Sequence, residues 1–492
     1  MFLKELLKDI YAGPFPRGPR GSLWEDSSPR QLAIRGIGSD SRTIEKDSLF
    51  VAMKGAKQDG TQFIDEAIRR GARVIATSHP PAEKRKDILF LQVVDPHKFL
   101  REVTQRFYGP LSSKVKSIGV TGTNGKTTVT YLIESILHEA GKACGVMGTV
   151  NYRIGEKILP SKNTTPGLVE NQQFLAKLAE KNVEYCVMEV SSHGLDQGRV
   201  DLINFKSAVF TNLTSDHLDY HRTRDNYFLA KARLFTNLSP RAVSVINIDD
   251  PCGAKLVSMT KSRVVKYGIS GEADICAKDI KASVLESHFT VRANGQSIKV
   301  QTKLIGLYNV YNILAAVGVC FNEGIALEAI SRGIARLEHV PGRLERIESP
   351  KGFAVFIDYA HTEDALKNVL EALRKIGPRR IITVFGCGGD RDKTKRPKMG
   401  RVAGHLCDVV IVTNDNPRSE DPQSIISEII LGFSTDNYQV VADREKAIQT
   451  AIVMAGAGDI VLIAGKGHED YQIFKDKTIP FSERKIVEKY LR

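Results

Sequence analysis

A chain of 492 residues is too long for one hydrophobic core and is expected to divide into about three domains. Its 42% hydrophobic content, with no apolar run near the roughly 20 residues a bilayer crossing needs, excludes a membrane span, and the charges threaded through Met1–Lys8 exclude a secretory leader. The formal charge of +13, from 70 Lys and Arg against 57 Asp and Glu, comes without basic–aromatic interleaving, so polyanionic small molecules or solvated surface explain it as well as nucleic acid does.

The chain is therefore read as cytoplasmic. Its seven cysteines (144, 186, 252, 276, 320, 387 and 407) are odd in number and never spaced as C-x-x-C. Several lie in apolar runs such as Tyr185–Met188, so buried free thiols are expected rather than disulfides or a thiolate metal site.

In chain order, a short amphipathic helix precedes Ala12–Gly21, whose Pro and Gly density predicts a loop. Strands at 48–53, 74–76 and 88–91 with a helix at 63–68 predict a small α/β unit, and Tyr108–Ser113 reads as a linker. Next come apolar strands near 143–149, 184–190, 207–212 and 243–248, and helices near 309–322 and 326–336. Such alternation predicts a largely parallel sheet covered on both faces, with the helix-free segment 272–304 as a side sheet. His339–Arg343 reads as a second linker. Beyond it, strands near 353–358, 380–386, 408–413 and 459–464 alternate with helices near 362–376, 397–406, 422–432 and 443–456. The fold class is α/β throughout, in domains 1–113, 114–337 and 338–492.

The chemistry concentrates at Ser117–Thr128. A β-branched run enters a Gly-rich turn, and an apolar-periodic helix leaves it, which is the setting of a phosphate-binding loop. Gly122 and Gly125, on either side of Thr123 and Asn124, let the backbone curl so that successive N–H groups point at phosphate oxygens, and the helix dipole adds positive charge. Lys126 is placed to reach the β- and γ-phosphates, and Thr127 to put its hydroxyl on Mg²⁺, with Thr128 beside it. The usual first glycine is replaced by Val120, so the turn is a variant; an ordinary Gly-rich βα turn is the alternative.

In parallel α/β sheets ligands bind beyond the C-terminal strand ends. Glu189 ends an apolar strand, where a carboxylate suits Mg²⁺ better than packing, or is simply solvated. Thr214–His221 follows the next strand. His217 and His221 have zinc-like spacing but no third ligand nearby, so a single imidazole beside Mg²⁺ is the more economical role and His221 reads as a surface histidine. Lys231 reads as an ordinary solvated helical lysine. Later strand ends carry Asp358–His361, Gly386–Lys393, Asp415–Arg418 and Gly465–Glu469, which together describe a small-molecule rim.

These motifs together, with Thr-Gly-Thr-Asn-Gly-Lys-Thr-Thr at 121–128, resemble the Mur ligase family from about residue 37 onward. The resemblance implies a domain holding a UDP-linked substrate, a central P-loop ATPase and a C-terminal Rossmann-like domain for the incoming amino acid. It implies that Ser39 and Ser41 hold the UDP-sugar, and that Asn163, Thr164, Thr165, Ser191, Gln197 and Arg199 contact the muramoyl peptide. Gly122 through Thr128 would bind ATP, with Asn309, Asn312, Arg343 and Asp358 as further nucleotide contacts. Thr127, Glu189 and His217 would serve Mg²⁺, joined by Lys231 as a CO₂-derived carbamate, an oxygen ligand where a bare ammonium could be none. Lys126, Glu189, His217 and Lys231 form the implied catalytic set. Gly55–Gly60 matches the family's uridine-side loop only loosely, and residues 12–21 match nothing in it.

For the amino acid, the resemblance assigns Arg391, Asp415, Asn416, Pro417, Arg418, Gly465 and Glu469. An Asp-Asn-Pro-Arg segment is the diaminopimelate form of this loop, and a guanidinium fork matches a carboxylate that lysine lacks. The implied reaction adds meso-2,6-diaminopimelate to UDP-N-acetylmuramoyl-L-alanyl-D-glutamate through an acyl phosphate made from ATP, by a monomer with no nucleic-acid partner. The rivals are a folylpolyglutamate synthetase, which Asp415–Arg418 argues against, a nucleic-acid-stimulated ATPase, and a silent binding protein.

Overall fold

The computed structural model describes the chain except residues 12–31, 56–57, 82–84, 86, 215, 271, 284, 476 and the side chain at 282. The loop expected at 12–21, the centre of Gly55–Gly60, and Ser215 therefore lie outside the described residues. The chain forms two compact units.

The first unit comprises Met1–Lys116, Pro166–Cys186 and Asp196–Asn204. Four parallel strands, β1 (Gly36–Gly38), β2 (Ser48–Val51), β3 (Ala72–Thr77) and β4 (Leu89–Gln92), pair in sequence order. Leu49, Val51, Val74, Ala76, Leu89 and Leu91 pack one face against Leu3, Leu6, Phe99 and Val103. Helix Pro96–Ser112 starts as its sequence dictates, with Pro96 in the first turn and Asp95 accepting from the His97 and Lys98 N–H groups. Tyr108–Ser112, read above as linker, is the end of this helix; Pro110 is tolerated there near the C-terminus. Helix Leu168–Glu180 belongs to the same unit, and Gln172 Oε1 accepts from Ser112 Oγ at 2.6 Å.

The second unit comprises Ser117–Thr165, Val187–Leu195 and Phe205–Arg492. Its large sheet uses β5 (Lys116–Thr121), β6 (Cys144–Met147), β7 (Asn151–Ile154), β8 (Lys157–Pro160), β9 (Tyr185–Glu189), β10 (Phe205–Phe210), β11 (Val243–Asn247), β12 (Arg263–Gly268), β13 (Ile275–Ala282), β14 (Ser287–Ala293) and β15 (Gln296–Thr302). Their order is β15-β14-β13-β12-β11-β10-β5-β9-β6-β7-β8. The segment expected as a side sheet is instead an antiparallel meander on one edge of this sheet, joined through the short parallel pairing of Tyr267 and Gly268 with Ile275 and Cys276. Helix Leu307–Asn322 is buried on nearly every face, and its Gly318 lies where a Cβ would come within 2.8 Å of Val245.

A further sheet runs β16 (Glu345–Glu348), β17 (Ala354–Asp358), β21 (Ile460–Ala464), β18 (Ile381–Phe385), β19 (Val409–Val412) and β20 (Tyr438–Val440), parallel except for β16. The strands at its centre are buried from end to end and apolar but for Asp358 and Thr383, as a sheet covered on both faces requires. A hairpin of β22 (Tyr471–Phe474) and β23 (Lys477–Pro480) follows. All seven cysteines are buried and free, as expected. Among the described residues no helix is long and apolar enough to cross a membrane.

Candidate functional site

The register of β5 against β10 pairs Thr121 with Phe210, so the two chains leave the sheet side by side. Gly122 (φ +149°) then passes where a Cβ would lie 1.8 Å from Thr211 Oγ1. Gly125 (φ +88°) caps helix Lys126–Glu139, and a Cβ there would meet Asn312 Oδ1 at 2.3 Å. Asn212 fixes the turn between them: its carbonyl accepts from Thr123 N–H at 2.9 Å and its Oδ1 from Asn124 N–H at 2.9 Å. Val120 is fully buried strand, which is why this loop begins later than the usual pattern.

Lys126 Nζ donates to the loop carbonyls of Gly122 and Thr123 at 2.9 and 2.8 Å. Burial lowers its pKa, against the pull of Glu189 and Asp216. Thr127 Oγ1 donates to Glu189 Oε1 at 3.0 Å and accepts from Arg343 Nη2 at 3.0 Å. Glu189, 1% exposed, also accepts from Thr149 N–H and Oγ1 at 2.8 and 3.0 Å. Gly148 leaves room for it, since a Cβ there would stand 2.4 Å from Oε1. Two hard oxygens in contact, with cations beyond them, form a donor set that fits Mg²⁺ shared with phosphate oxygens.

His217 adopts φ +53° and packs edge-on against the His193 ring at 4.8 Å. Burial, reinforced by His193, Lys231 and Lys126 over the opposing pull of Asp216, pushes its pKa down to about 3, so the imidazole is neutral at ordinary pH. Two expectations are corrected here. His221 is buried, with Nε2 3.0 Å from Ser192 Oγ. Lys231 is 1% exposed, donates to Gly122 O at 2.8 Å and lies 4.6 Å from the Tyr227 ring centroid. Desolvation and then Lys126 drive its pKa well below the usual lysine value. Both effects favour the neutral form of the amine.

A cavity of 840 Å³ opens on this loop, lined also by Asn309, Asn312, Arg343, Asp358 and Asp364. Asn312 Nδ2 donates to Asn309 Oδ1, and Asn309 Nδ2 to Ile305 O. Asn124 Nδ2 donates to Asp364 Oδ2 at 3.1 Å, a link that the sequence did not reveal. Arg343 stacks over Tyr359 at 4.6 Å. Asp358 accepts from Leu344 N–H at 2.6 Å and Ala360 N–H at 2.7 Å, and burial raises its pKa to about 6. Its Oδ2 is thus spent on the turn that carries Arg343, and its Oδ1 on the bend after its own strand.

Around Glu189, Thr164 Oγ1 lies 3.1 Å from Thr149 Oγ1, and Thr165 Oγ1 donates to the Glu189 carbonyl and accepts from Ser191 N–H. Tyr152 OH donates to the Asn163 carbonyl. Ser39, Ser41, Gln197 and Arg199 belong to the first unit, where Ser41 Oγ donates to Glu66 Oε2 at 2.7 Å and Arg199 Nε to Gln197 Oε1 at 3.0 Å.

The residues expected to take the amino acid gather at the ends of β18, β19 and β21. Arg418, in the left-handed region at φ +53°, is held by β22: its N–H donates to Ile473 O, and its own carbonyl accepts from Lys475 N–H. Its Nη1 donates to Gly389 O at 2.7 Å, and Gly388 allows the approach. Arg391 is exposed beside Gly388. Asp415 Oδ1 accepts from Asn416 N–H at 2.7 Å, and its Oδ2 lies where a Cβ on Gly465 would stand 2.7 Å away. The buried Pro417 presents its carbonyl where Gly389 has no Cβ. Asn416 Nδ2 donates to Glu469 Oε2 at 2.8 Å.

Three buried cations behind this rim escaped sequence reading. Arg444 pairs with Glu483, both side chains 0% exposed, and donates to the carbonyls of Asn414 and Ala464. Arg396 joins Glu420 and Glu428, and Lys466 joins Glu469.

Family models describe residues 33–108 as the Mur ligase family catalytic domain, 120–320 as the Mur ligase middle domain and 342–467 as the Mur ligase glutamate ligase domain. The UDP-N-acetylmuramoyl-L-alanyl-D-glutamate–2,6-diaminopimelate ligase of Clostridium tetani is 43% identical over 94% of this chain and 95% of its own. The enzyme of that name from Geobacter metallireducens is also 43% identical, over 93% and 94%. A solved structure of a ligase of that name matches at TM-score 0.66 and 32% identity, covering 95% of this chain and 96% of the other. MurF from Acinetobacter baumannii shares the fold at TM-score 0.70 and 19% identity, over 93% of each chain. Three matched domains and 43% identity across 94% of the length establish that this chain belongs to the Mur ligase family.

Proposed function

We propose that the chain is an ATP-dependent ligase that joins meso-2,6-diaminopimelate to UDP-N-acetylmuramoyl-L-alanyl-D-glutamate in cytoplasmic peptidoglycan-precursor synthesis. The observation that carries this reading is the pairing of opposite charges on one loop rim. Arg418 and Glu469 both bond to Asn416, through its carbonyl at 3.4 Å and its Nδ2 at 2.8 Å. A guanidinium and a carboxylate so placed complement the carboxylate and ammonium at the far end of diaminopimelate, and lysine offers only the ammonium.

ATP occupies the cavity at Gly122–Thr128, with Asn309, Asn312 and the Arg343 turn as nucleotide contacts. The substrate carboxylate attacks the γ-phosphorus, ADP departs, and an acyl phosphate forms. The amine of diaminopimelate attacks the acyl carbon, a proton leaves the nitrogen, and phosphate departs with the C–O bonding pair. Lys126 and Arg343 neutralise charge that builds on the transferred group, and the first N–H groups of helix Lys126–Glu139 orient it. Thr127, Glu189 and the neutral His217 would hold Mg²⁺, which when bound supplies further neutralisation of phosphate charge.

Lys231 is the residue proposed to carry a carbamate. Its buried, low-pKa amine is the form that reacts with CO₂. The test is phosphate release from ATP. It should require both the UDP-linked dipeptide and meso-diaminopimelate; release stimulated instead by nucleic acid, or by a folate with glutamate, would overturn the proposal.

A further inference from the structure

The loop Gly465–Glu469 turns one lysine inward. Gly465 (φ +115°) and Gly467 (φ +55°) bracket Lys466, conformations that side-chain-bearing residues seldom adopt, and the side chain between them is 0% exposed. A lysine buried this completely is rare unless its ammonium is paired. Nζ donates to Glu469 Oε2 at 2.9 Å and to Asn416 Oδ1 at 3.1 Å, and lies 5.4 Å from the Tyr471 ring centroid. Asn416 Oδ1 also accepts from Ile473 N–H at 3.0 Å, so the amide cannot flip, and its Nδ2 is forced toward the same Glu469 Oε2. Two donors thus converge on one carboxylate oxygen, and among the described residues no hydrogen bond engages Oε1.

We propose that Lys466 is a positioning residue of the amino-acid pocket, whose buried ammonium fixes Glu469 through Oε2 and leaves Oε1 to receive the distal ammonium of the incoming diamino acid. This rests on the proposed diaminopimelate reaction. Lys466 is too enclosed to touch substrate itself and acts only through Glu469 and Asn416. It also balances the Glu469 carboxylate at this rim with an opposite charge 2.9 Å away before substrate arrives.

The test is steady-state kinetics of Lys466→Met, Glu469→Gln and the double variant, varying each substrate in turn. Lys466→Met should raise the KM for meso-diaminopimelate about thirtyfold while leaving the KM for ATP within about threefold, because coupled groups in one network show losses of that size. In the Glu469→Gln background the same substitution should add less than about threefold, since the group it positions is already gone. Equal losses in the two backgrounds, an unchanged KM for diaminopimelate, or a loss confined to kcat would overturn the proposal. If Lys466→Met does not fold, the double variant decides: a folded protein matching Glu469→Gln supports the role, and an unfolded one shows that the lysine is a core support instead. A wild-type protein that fails to use meso-diaminopimelate refutes the underlying function, whatever the variants do.

Discussion

Truncation of Arg418 to alanine offers a sharp view of amino-acid selection, because its structural and recognition roles can be separated. The side chain braces its own loop through Nη1 to Gly389 O, a charge-assisted bond worth about 1.5–3 kcal/mol. That loss falls equally on any amino acid and cancels in a ratio of two substrates. The backbone is unaffected, since Ile473 O and Lys475 N–H still pair with residue 418 and alanine bears the same left-handed strain as arginine. What remains in the ratio is the pairing of Nη2 and Nε with the distal carboxylate of diaminopimelate. A site that leaves such a group unpaired rejects the analogue by about 10⁴ when it is fully desolvated. Arg418 is half-buried, which reduces the expected discrimination to about 10³. The assay is kcat/KM for meso-diaminopimelate and for L-lysine with both proteins. Wild type should favour diaminopimelate by about 10³, and Arg418→Ala should bring the ratio within about tenfold of unity. A ratio unchanged by the substitution would refute the reasoning.

Lys126→Ala should abolish ATP turnover with the fold retained, and retention of more than about a tenth of the rate at saturating ATP would contradict the phosphate role. Lys231→Ala should be nearly inactive and partly restored by short carboxylic acids, whose oxygens replace those of a carbamate; full activity without them would remove Lys231 from the site. Arg444→Met should cost about 3–5 kcal/mol in chemical denaturation, since it strands Glu483 at 0% exposure, and a loss below about 1 kcal/mol would show that the pair is dispensable. His361 is held down at about 4 by burial and then Lys395, below the usual histidine value. Its ring stays neutral in the fold and takes a proton in the unfolded chain, so stability is complete above about pH 6.5 and is lost as pH falls toward 4. Between pH 7 and 5 that amounts to about 2 kcal/mol, which His361→Gln should remove; an identical slope in both proteins would refute it.

The C-terminal sheet was legible because strands buried on both faces must be apolar throughout. Ile460–Ala464 reads as an unbroken run and Ile381–Phe385 as one broken only by Thr383, and their ends mark the rim without any three-dimensional knowledge. Helix Pro96–Ser112 goes unread and its end reads as a linker, because Gly109-Pro110 looks like a break, although Asp95-Pro96 marks its start. The burial of Lys231 was discoverable in principle. Tyr227, Phe228, Ala230, Ala232, Leu234 and Phe235 surround it with apolar positions on every side of the helix, which a solvated lysine would not require. Lys466, Arg396 and Arg444 gave no such signal. Their partners lie 24 residues away for Arg396 and Glu420 and 39 for Arg444 and Glu483, or, for Lys466, depend on glycine conformations that sequence spacing does not encode.

The central step is an acyl phosphate formed at the Lys126 loop and consumed by the free amine of a diaminopimelate whose far end is held by Arg418 and Glu469. Supplying UDP-N-acetylmuramoyl-L-alanyl-D-glutamate labelled with ¹⁸O in its carboxylates, together with ATP and meso-diaminopimelate, tests this directly through the mass of the phosphate released. Transfer of one labelled oxygen to each phosphate, in step with amide formation, is the predicted result. Amide formed with unlabelled phosphate would contradict it.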